Sequence, residues 1–208
     1  MAWLDISTPI RDGMAVYPGD PPVVVTRALA MARGDMADVT ALSMGAHVGT
    51  HVDAPAHALP GGPGVEAVPI DAMIGDAIVV DVPADAVVDA GLLRRAALAP
   101  HCRRVLLRTG ASGGDPASEG APLSIDGARY LLQRGIVLVG TDTMSVAPAD
   151  DPMPVHRLLL GAGVVIVEGL RLAAARSGPC RLICLPLLVA GADGAPARAV
   201  IEQADPPV

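Results

Sequence analysis

His47-Val48-Gly49-Thr50-His51-Val52-Asp53-Ala54-Pro55-Ala56-His57 gathers three of the chain's five histidines and an aspartate into one short stretch. Imidazole nitrogen and carboxylate oxygen are the usual neutral and anionic donors to a divalent metal, so this pattern predicts a metal site drawing on His47, His51, Asp53 and His57. All four donors occupy odd positions, which on a strand would put them on one face. A straight strand, however, holds residues four apart at ~13 Å, given roughly 3.3 Å per residue. A helix would bring His47 to His51 but rotate Asp53 away, and Pro55 opposes its continuation. The stretch is therefore expected to bend, at Gly49 and around Asp53-Ala54-Pro55, and to serve as a ligand-bearing loop.

Outward from this loop, six short runs rich in β-branched residues read as buried strands: Ala77–Val82, Val105–Thr109, Ile136–Thr141, Val164–Glu168, Arg181–Val189 and Arg198–Glu202. They lack clean alternation, as strands covered on both faces do. Helices are expected between them. Asp85–Ala97 is followed closely by Leu98, which with Leu92 and Leu93 forms one apolar side. Ser124–Arg134 opens on an N-cap serine and stops at Gly135. A third begins after Asp150-Asp151, carries Pro152 near its first turn and ends at Gly161. The alternation predicts an α/β fold. The Gly- and Pro-rich stretches 60–64 and 110–122 read as loops, and residues 1–208 as one domain.

Half of the 208 residues are apolar (51%), yet aromatics make up only 1% and Phe is absent, so the core must be built from small aliphatic side chains. A net charge of −7 with no basic run beyond Arg94-Arg95 and Arg103-Arg104 disfavours nucleic-acid binding. The start, Met1-Ala2-Trp3-Leu4-Asp5, has no secretory signature, and no apolar run reaches membrane-spanning length. Cys102, Cys180 and Cys184 make no even disulfide framework and read as reduced thiols in a cytoplasmic protein. Cys180 and Cys184, four apart on an apolar stretch, are expected to be small buried hydrophobes.

A second half-site is visible downstream. His156 lies near the start of the third helix and Glu168 ends the run Val164–Val167. If the helix runs outward and the strand returns beside it, the two come back to the same end. A carboxylate after four apolar residues is costly to bury unless paired or bound to metal. The alternatives are a strand-end glutamate emerging into solvent and a helix-start surface histidine. Asp142 and Ser145 either support the site from behind or form a turn after the Ile136–Thr141 strand. His101 is expected at the surface. Ala41-Leu42-Ser43-Met44-Gly45 has the outline of a degraded serine nucleophile elbow, a competing reading that needs a strand–turn–helix around Ser43.

The chain resembles the cyclase family of metal-dependent hydrolases, most closely its bacterial kynurenine formamidases. The family signature His-x-Gly-Thr-His-x-Asp-Ala-Pro-x-His is met in full by His47 to His57. Likeness extends to Leu4-Asp5-Ile6-Ser7, Tyr17-Pro18-Gly19-Asp20, Gly140-Thr141-Asp142, His156-Arg157, Glu168-Gly169-Leu170 and the stretch from Leu185 through Ala190-Gly191-Ala192-Asp193 to Val200. The resemblance implies a compact single α/β domain with a swivelling β/β/α arrangement, forming a homodimer. It implies two divalent metal ions, Zn²⁺ or Mn²⁺, with His47, His51 and Asp53 on the first. Asp53 would also reach the second, His156 would hold the second, and Glu168 would touch both. His57 matches the family's catalytic acid/base, so it would move protons rather than ligate. The implied reaction is hydrolysis of a small aryl amide, ideally N-formylkynurenine to kynurenine and formate. Tyr17 stands where the kynurenine formamidases place a substrate-contacting Trp, which leaves open another aryl or cyclic amide such as isatin. A non-catalytic metal-binding protein is the remaining alternative.

Overall fold

The computed structural model describes residues 2–83, 85–111 and 120–204. Part of the loop expected over 110–122, residues 112–119, lies outside the described residues. Among the described residues ten strands and four α-helices follow one another in chain order: β1 (Ala2–Asp5), β2 (Val24–Leu29), β3 (Val39–Ser43), β4 (His51–Asp53), α1 (Ile70–Met73), β5 (Ile74–Asp81), α2 (Ala90–Arg95), β6 (Arg104–Arg108), α3 (Ile125–Gln133), β7 (Leu138–Thr141), α4 (Met153–Gly161), β8 (Val165–Glu168), β9 (Gly178–Pro186) and β10 (Gly194–Gln203).

From β5 to β8 the pattern is the expected α/β alternation. β5, β6, β7 and β8 are parallel neighbours, joined through α2, α3 and α4. Parallel pairs need such crossovers because a tight hairpin cannot reverse the chain twice. The rest differs from a two-sided parallel sheet. β9 pairs antiparallel with both β5 and β10, β10 with β4, and β4 with β8, so seven strands close into a mixed barrel. β1 rides on the free edge of β10. Closure leaves few edges to protect.

The register sorts side chains by parity. Val79, Leu106 and Leu138 turn into the barrel with Val167, Leu182, Cys184, Ala199 and Ile201. Val80, Val105, Val139 and Ile166 turn outward and pack under Leu93 of α2, Leu131 of α3 and Leu159 of α4. Two aliphatic cores on opposite faces of one sheet explain why the strands read as unbroken apolar runs. Cys180 and Cys184 are buried in the inner core, where burial pushes both thiols up to about 12.

Four strands escaped the sequence pattern: β1, β2, β3 and β4. The β2–β3 hairpin stands away from the barrel with mostly exposed residues, so burial imposes no periodicity on it. The second helix expectation is also corrected. α2 starts at Ala90 rather than Asp85, because Asp89 caps it through Leu92 N–H (2.7 Å) while Val88 bridges to Leu123. Ser124 caps α3 as expected, accepting from Gly127 N–H. Ser43 ends an exposed hairpin strand with no helix after it, which removes the serine nucleophile reading.

β4 lies directly beside β8, with His51 opposite Glu168 and Asp53 opposite Ile166. Val52 points into the barrel, so His51, Asp53 and Glu168 share the outer face that α4 covers. The chain enters β4 and leaves β8 through left-handed glycines, Gly49 (φ 61°) and Gly169 (φ 67°). These bends touch: a Cβ on Gly169 would stand 2.2 Å from the Gly49 carbonyl oxygen. Thr50 Oγ1–H and Thr8 Oγ1–H both donate to the Gly169 carbonyl at 2.7 Å.

Gly169→Ala therefore meets both left-handed strain and a backbone atom that cannot yield, and should cost at least ~2 kcal/mol in urea unfolding. Gly161→Ala, in the last position of α4 with only a 4.0 Å neighbour, should leave stability unchanged or raise it by up to ~1 kcal/mol.

Candidate metal centre

The bend predicted around Asp53-Ala54-Pro55 is a 3-10 turn, Pro55–His57, closed by His57 N–H on the Ala54 carbonyl (2.9 Å). It folds His57 back over the loop, so that its ring centroid lies 4.1 Å from that of His47 and 5.5 Å from that of His156. His156 comes in from the first turns of α4, and Glu168 from the end of β8. All six residues singled out as donors or proton movers are thus brought together, across 121 residues of chain from His47 to Glu168 (168 − 47).

Three of the four imidazoles share one design. His51 Nδ1 faces the Gly49 carbonyl (3.0 Å), His156 Nδ1 faces the Pro152 carbonyl (2.9 Å), and His47 Nε2 faces Asp193 Oδ2 (3.0 Å). The backbone carbonyls fix a proton on the nitrogen they meet, which leaves the other nitrogen of His51 and His156 as a lone-pair donor, whereas His47 meets a carboxylate on each side. Those other nitrogens converge on two carboxylates. His47 Nδ1 lies 2.9 Å from Asp53 Oδ1 and His51 Nε2 3.4 Å from the same atom. His51 Nε2 is also 3.4 Å from Glu168 Oε2, and His156 Nε2 is 3.1 Å from Glu168 Oε1 and 3.6 Å from Asp53 Oδ2. Glu168 Oε1 is held from behind by Val146 N–H at 2.7 Å.

Several of these separations are too long for good hydrogen bonds. Among the described residues, His51 Nε2 and Asp53 Oδ2 are buried side-chain atoms with no hydrogen-bond partner. Leaving such atoms unpaired costs free energy. Donors each ~2.1 Å from one tetrahedral cation stand ~3.4 Å apart, so the spacing and the orphaned atoms both fit a divalent ion among nitrogen and carboxylate donors. Mutually close donor sets include His47 with His51 and Asp53, and Asp53 with His57 and His156.

Charge is concentrated here. Burial works against a proton on His47, but hydrogen bonds and attraction from Asp53 and Asp193 outweigh it, and His47 is pushed up to about 9. His156 is likewise pushed up to about 9, burial being overcome by Glu168 and Asp53. His51 is raised by Glu168 and Asp53 against its own burial. Glu168 is held well below the usual carboxylate range: burial opposes this, but the hydrogen bond from His156 and the nearness of the His156 and His51 rings prevail. His57 moves the other way. Burial lowers it, the neighbouring His47 and His156 add to that, and no carboxylate is near enough to reverse it.

A cavity of about 460 Å³ opens onto this centre. Tyr17, Pro18, Met144 and Met153 line it together with His47, His51, His57 and His156, so the Tyr17 turn does face the site. Asp142 does not support the centre. Its carboxylate accepts from Thr109 N–H, Thr109 Oγ1–H and Gly110 N–H, tethering the end of β6, whereas Ser145 lines the cavity. His101 is exposed. Two participants were not found from sequence: the Val146 amide and Asp193. Asp193 sits in a Gly-Ala-Asp-Gly turn, and its place beside His47 depends on the β4–β10 pairing, which no local pattern announces.

The Cyclase family model matches residues 4–148, and the chain belongs to that family. It is 39% identical to the kynurenine formamidase of Salinibacter ruber, across the full length of both chains (100% of each). Among solved structures, one described as a potential metal-dependent hydrolase with cyclase activity superposes with a TM-score of 0.83 at 30% identity, covering 99% of both chains. Isatin hydrolase A from Labrenzia aggregata, at 22% identity and a TM-score of 0.81 over 96% of this chain and 93% of its own, shares the fold.

Ligand nitrogens must be free of protons to bind a cation, so acid competes with metal. For the metal-free protein the sign is opposite. His47 and His156 rise from 6.5 to about 9 on folding, so their contribution to stability is complete below pH 6.5 and is lost as pH climbs through 9. Glu168, lowered on folding, contributes above its ordinary value of 4.5 and loses that contribution in stronger acid. Thermal melts between pH 6 and 9.5 should therefore show the metal-free protein weakening while zinc affinity increases.

Proposed function

We propose that the protein is a metal-dependent hydrolase of a small aryl amide, and that its substrate is N-formylkynurenine, split to kynurenine and formate. One observation carries the reading: two buried, unpartnered donor atoms in a convergent set of imidazoles and carboxylates, facing a cavity beside a histidine that is kept neutral. The relatives named kynurenine formamidase supply the substrate class.

In this reading His47, His51 and Asp53 would hold one divalent cation and His156 a second, with Asp53 also reaching the second and Glu168 touching both, Zn²⁺ or Mn²⁺ by donor type. Bound there, the cations supply a polarised amide carbonyl and an acidified water. His57 would take a proton from the attacking water as the carbon–oxygen bond forms and return it to the amine nitrogen as the carbon–nitrogen bond breaks; the neutral arylamine leaves, and the acid's remaining proton passes to solvent to give formate. His57 suits this work because it sits outside both carboxylates' hydrogen-bonding reach and is free of a fixed proton at neutral pH. Tyr17 stacks on the aryl ring, with Met144 and Met153 also lining the cavity. The homodimer implied by the family resemblance belongs to the same proposal. No helix among the described residues is long and apolar enough to cross a membrane.

His57→Ala should keep near-normal metal content while kcat falls by ~10²–10⁴-fold. Asp53→Asn should lose metal and activity together. Chelation should abolish hydrolysis of N-formylkynurenine, and Zn²⁺ or Mn²⁺ should restore it. Isatin assayed in parallel decides the substrate: a higher kcat/KM on isatin would reject the formamidase assignment, and activity that survives chelation would reject the metal mechanism.

A further inference from the structure

The one acceptor among the three imidazole anchors that is a charged side chain is Asp193, and none of the roles given above uses it. Gly49 and Pro152 anchor His51 and His156 with backbone carbonyls. His47 instead meets a carboxylate, Asp193 Oδ2, at 3.0 Å from its Nε2, while its Nδ1 faces Asp53 Oδ1 at 2.9 Å. An imidazole between two carboxylates has two possible proton positions. Which one it takes decides whether the nitrogen aimed at the metal centre carries a lone pair.

The Asp193 turn is built to stand where it does. Its carbonyl accepts Ala54 N–H (2.9 Å), one residue beyond Asp53. The neighbouring Ala192 carbonyl accepts Val65 N–H (2.8 Å), and Gly191 N–H donates to Glu66 Oε2 (3.0 Å). Three tethers thus fix a side chain that is itself half exposed. The next residue, Gly194, completes the seat: a Cβ there would lie 2.8 Å from His47 Cε1. The His47 ring occupies the space that a side chain at 194 would take, and its outer nitrogen is delivered to the carboxylate. His57 Nδ1 is 3.8 Å from the same Asp193 oxygen, beyond hydrogen-bond reach, so the direct partner is His47.

We propose that Asp193 is a positioning residue for the metal centre. It holds the proton of His47 on Nε2 and the ring in place, so that Nδ1 is the metal-directed atom, and its negative charge makes that atom a better donor. This rests on the metal-centre reading of His47. It also means that the histidines present opposite faces to the cations: His47 through Nδ1, His51 and His156 through Nε2.

The test is zinc affinity of the purified protein, measured by competition with a chromogenic chelator, for wild type, Asp193→Asn and Asp193→Ala. Loss of the carboxylate should weaken zinc binding by ~10–100-fold, with Asn closer to tenfold because its amide oxygen can still accept from Nε2. Measured at pH 9.5, where His47 of the metal-free protein has given up its extra proton and the pairing with Asp193 no longer adds stability through it, unfolding temperatures of the three metal-free proteins should agree closely. Nitrogen NMR of the zinc-loaded wild type should show His47 protonated on Nε2, a signature that a purely structural turn would not produce. Zinc affinity within twofold of wild type in both variants would overturn the proposal. So would a weakened affinity matched by a lower unfolding temperature of the metal-free variants at that pH, or a His47 protonated on Nδ1. No zinc binding by wild type would overturn the metal-centre reading itself, and this inference with it.

Discussion

The backbone contact between Gly49 and Gly169 is the constraint on which the rest depends. Two left-handed bends, one before β4 and one after β8, press together at a distance that no side chain would permit. That contact sets the register of β4 on β8 and so places His51 opposite Glu168. A slip of one residue would turn Val52 outward and send His51 and Asp53 into the aliphatic interior of the barrel. The hydroxyls of Thr8 and Thr50 share the Gly169 carbonyl, tying the N-terminal segment into the same knot. The signature's Gly-Thr pair thus serves the architecture, and its histidines and aspartate the chemistry.

The arrangement concentrates buried charge in one place; away from it, among the described residues, Asp142 and Arg104 are also buried, each satisfied by hydrogen bonds. Asp53 and Glu168 are almost fully buried beside three histidines, and two atoms of the group lack partners. Replacing such a group by apolar residues commonly stabilises a protein, so its presence is weak evidence for a stabilising role. The surroundings are ordered accordingly. Each imidazole is braced on its far side, Glu168 is held by the Val146 amide, and two aliphatic cores flank the sheet. The rigid elements hold these donors at 3.1–3.6 Å, and a cation among them would satisfy the two atoms that hydrogen bonding leaves unpaired.

What the sequence made legible follows the range of the interactions involved. Strands β5 to β8, the Ser124 cap of α3 and the bounds of α4 arise from local burial and local chain chemistry, and they were readable. So was the bend at Gly49, since the donors could converge in no regular element. Barrel closure was not readable, because it depends on β9 and β10 pairing with strands more than a hundred residues earlier. The β2–β3 hairpin left no pattern because its side chains are mostly exposed on both faces. β4 is only three residues long and was hidden inside the motif it positions. His57 shows the limit most clearly. Spacing made it a fourth ligand equal to the others, and family resemblance alone set it apart. In space it lacks the acceptor that braces each of its neighbours, and burial lowers its proton affinity where theirs is raised.

The location of the centre separates what must be constant from what can vary. The metal-facing atoms come from a loop bend, two strand ends and one helix start, all locked by the sheet and its two cores. The cavity is also lined by the Tyr17-Pro18-Gly19-Asp20 turn and by Met144, Ser145 and Met153, which lie outside the barrel ladder, although Val146 and Pro152 of that second segment brace Glu168 and His156. A change of Tyr17 or Met144 alters the shape offered to a substrate without moving a strand or a ligand. Substrate choice is therefore expected to reside in these two segments, and the hydrolytic chemistry in the barrel-borne half of the site. Tyr17 lies on the variable side of that division. Its departure from the tryptophan that the resemblance to kynurenine formamidases implies bears, in the proposed function, on which aryl amide fits.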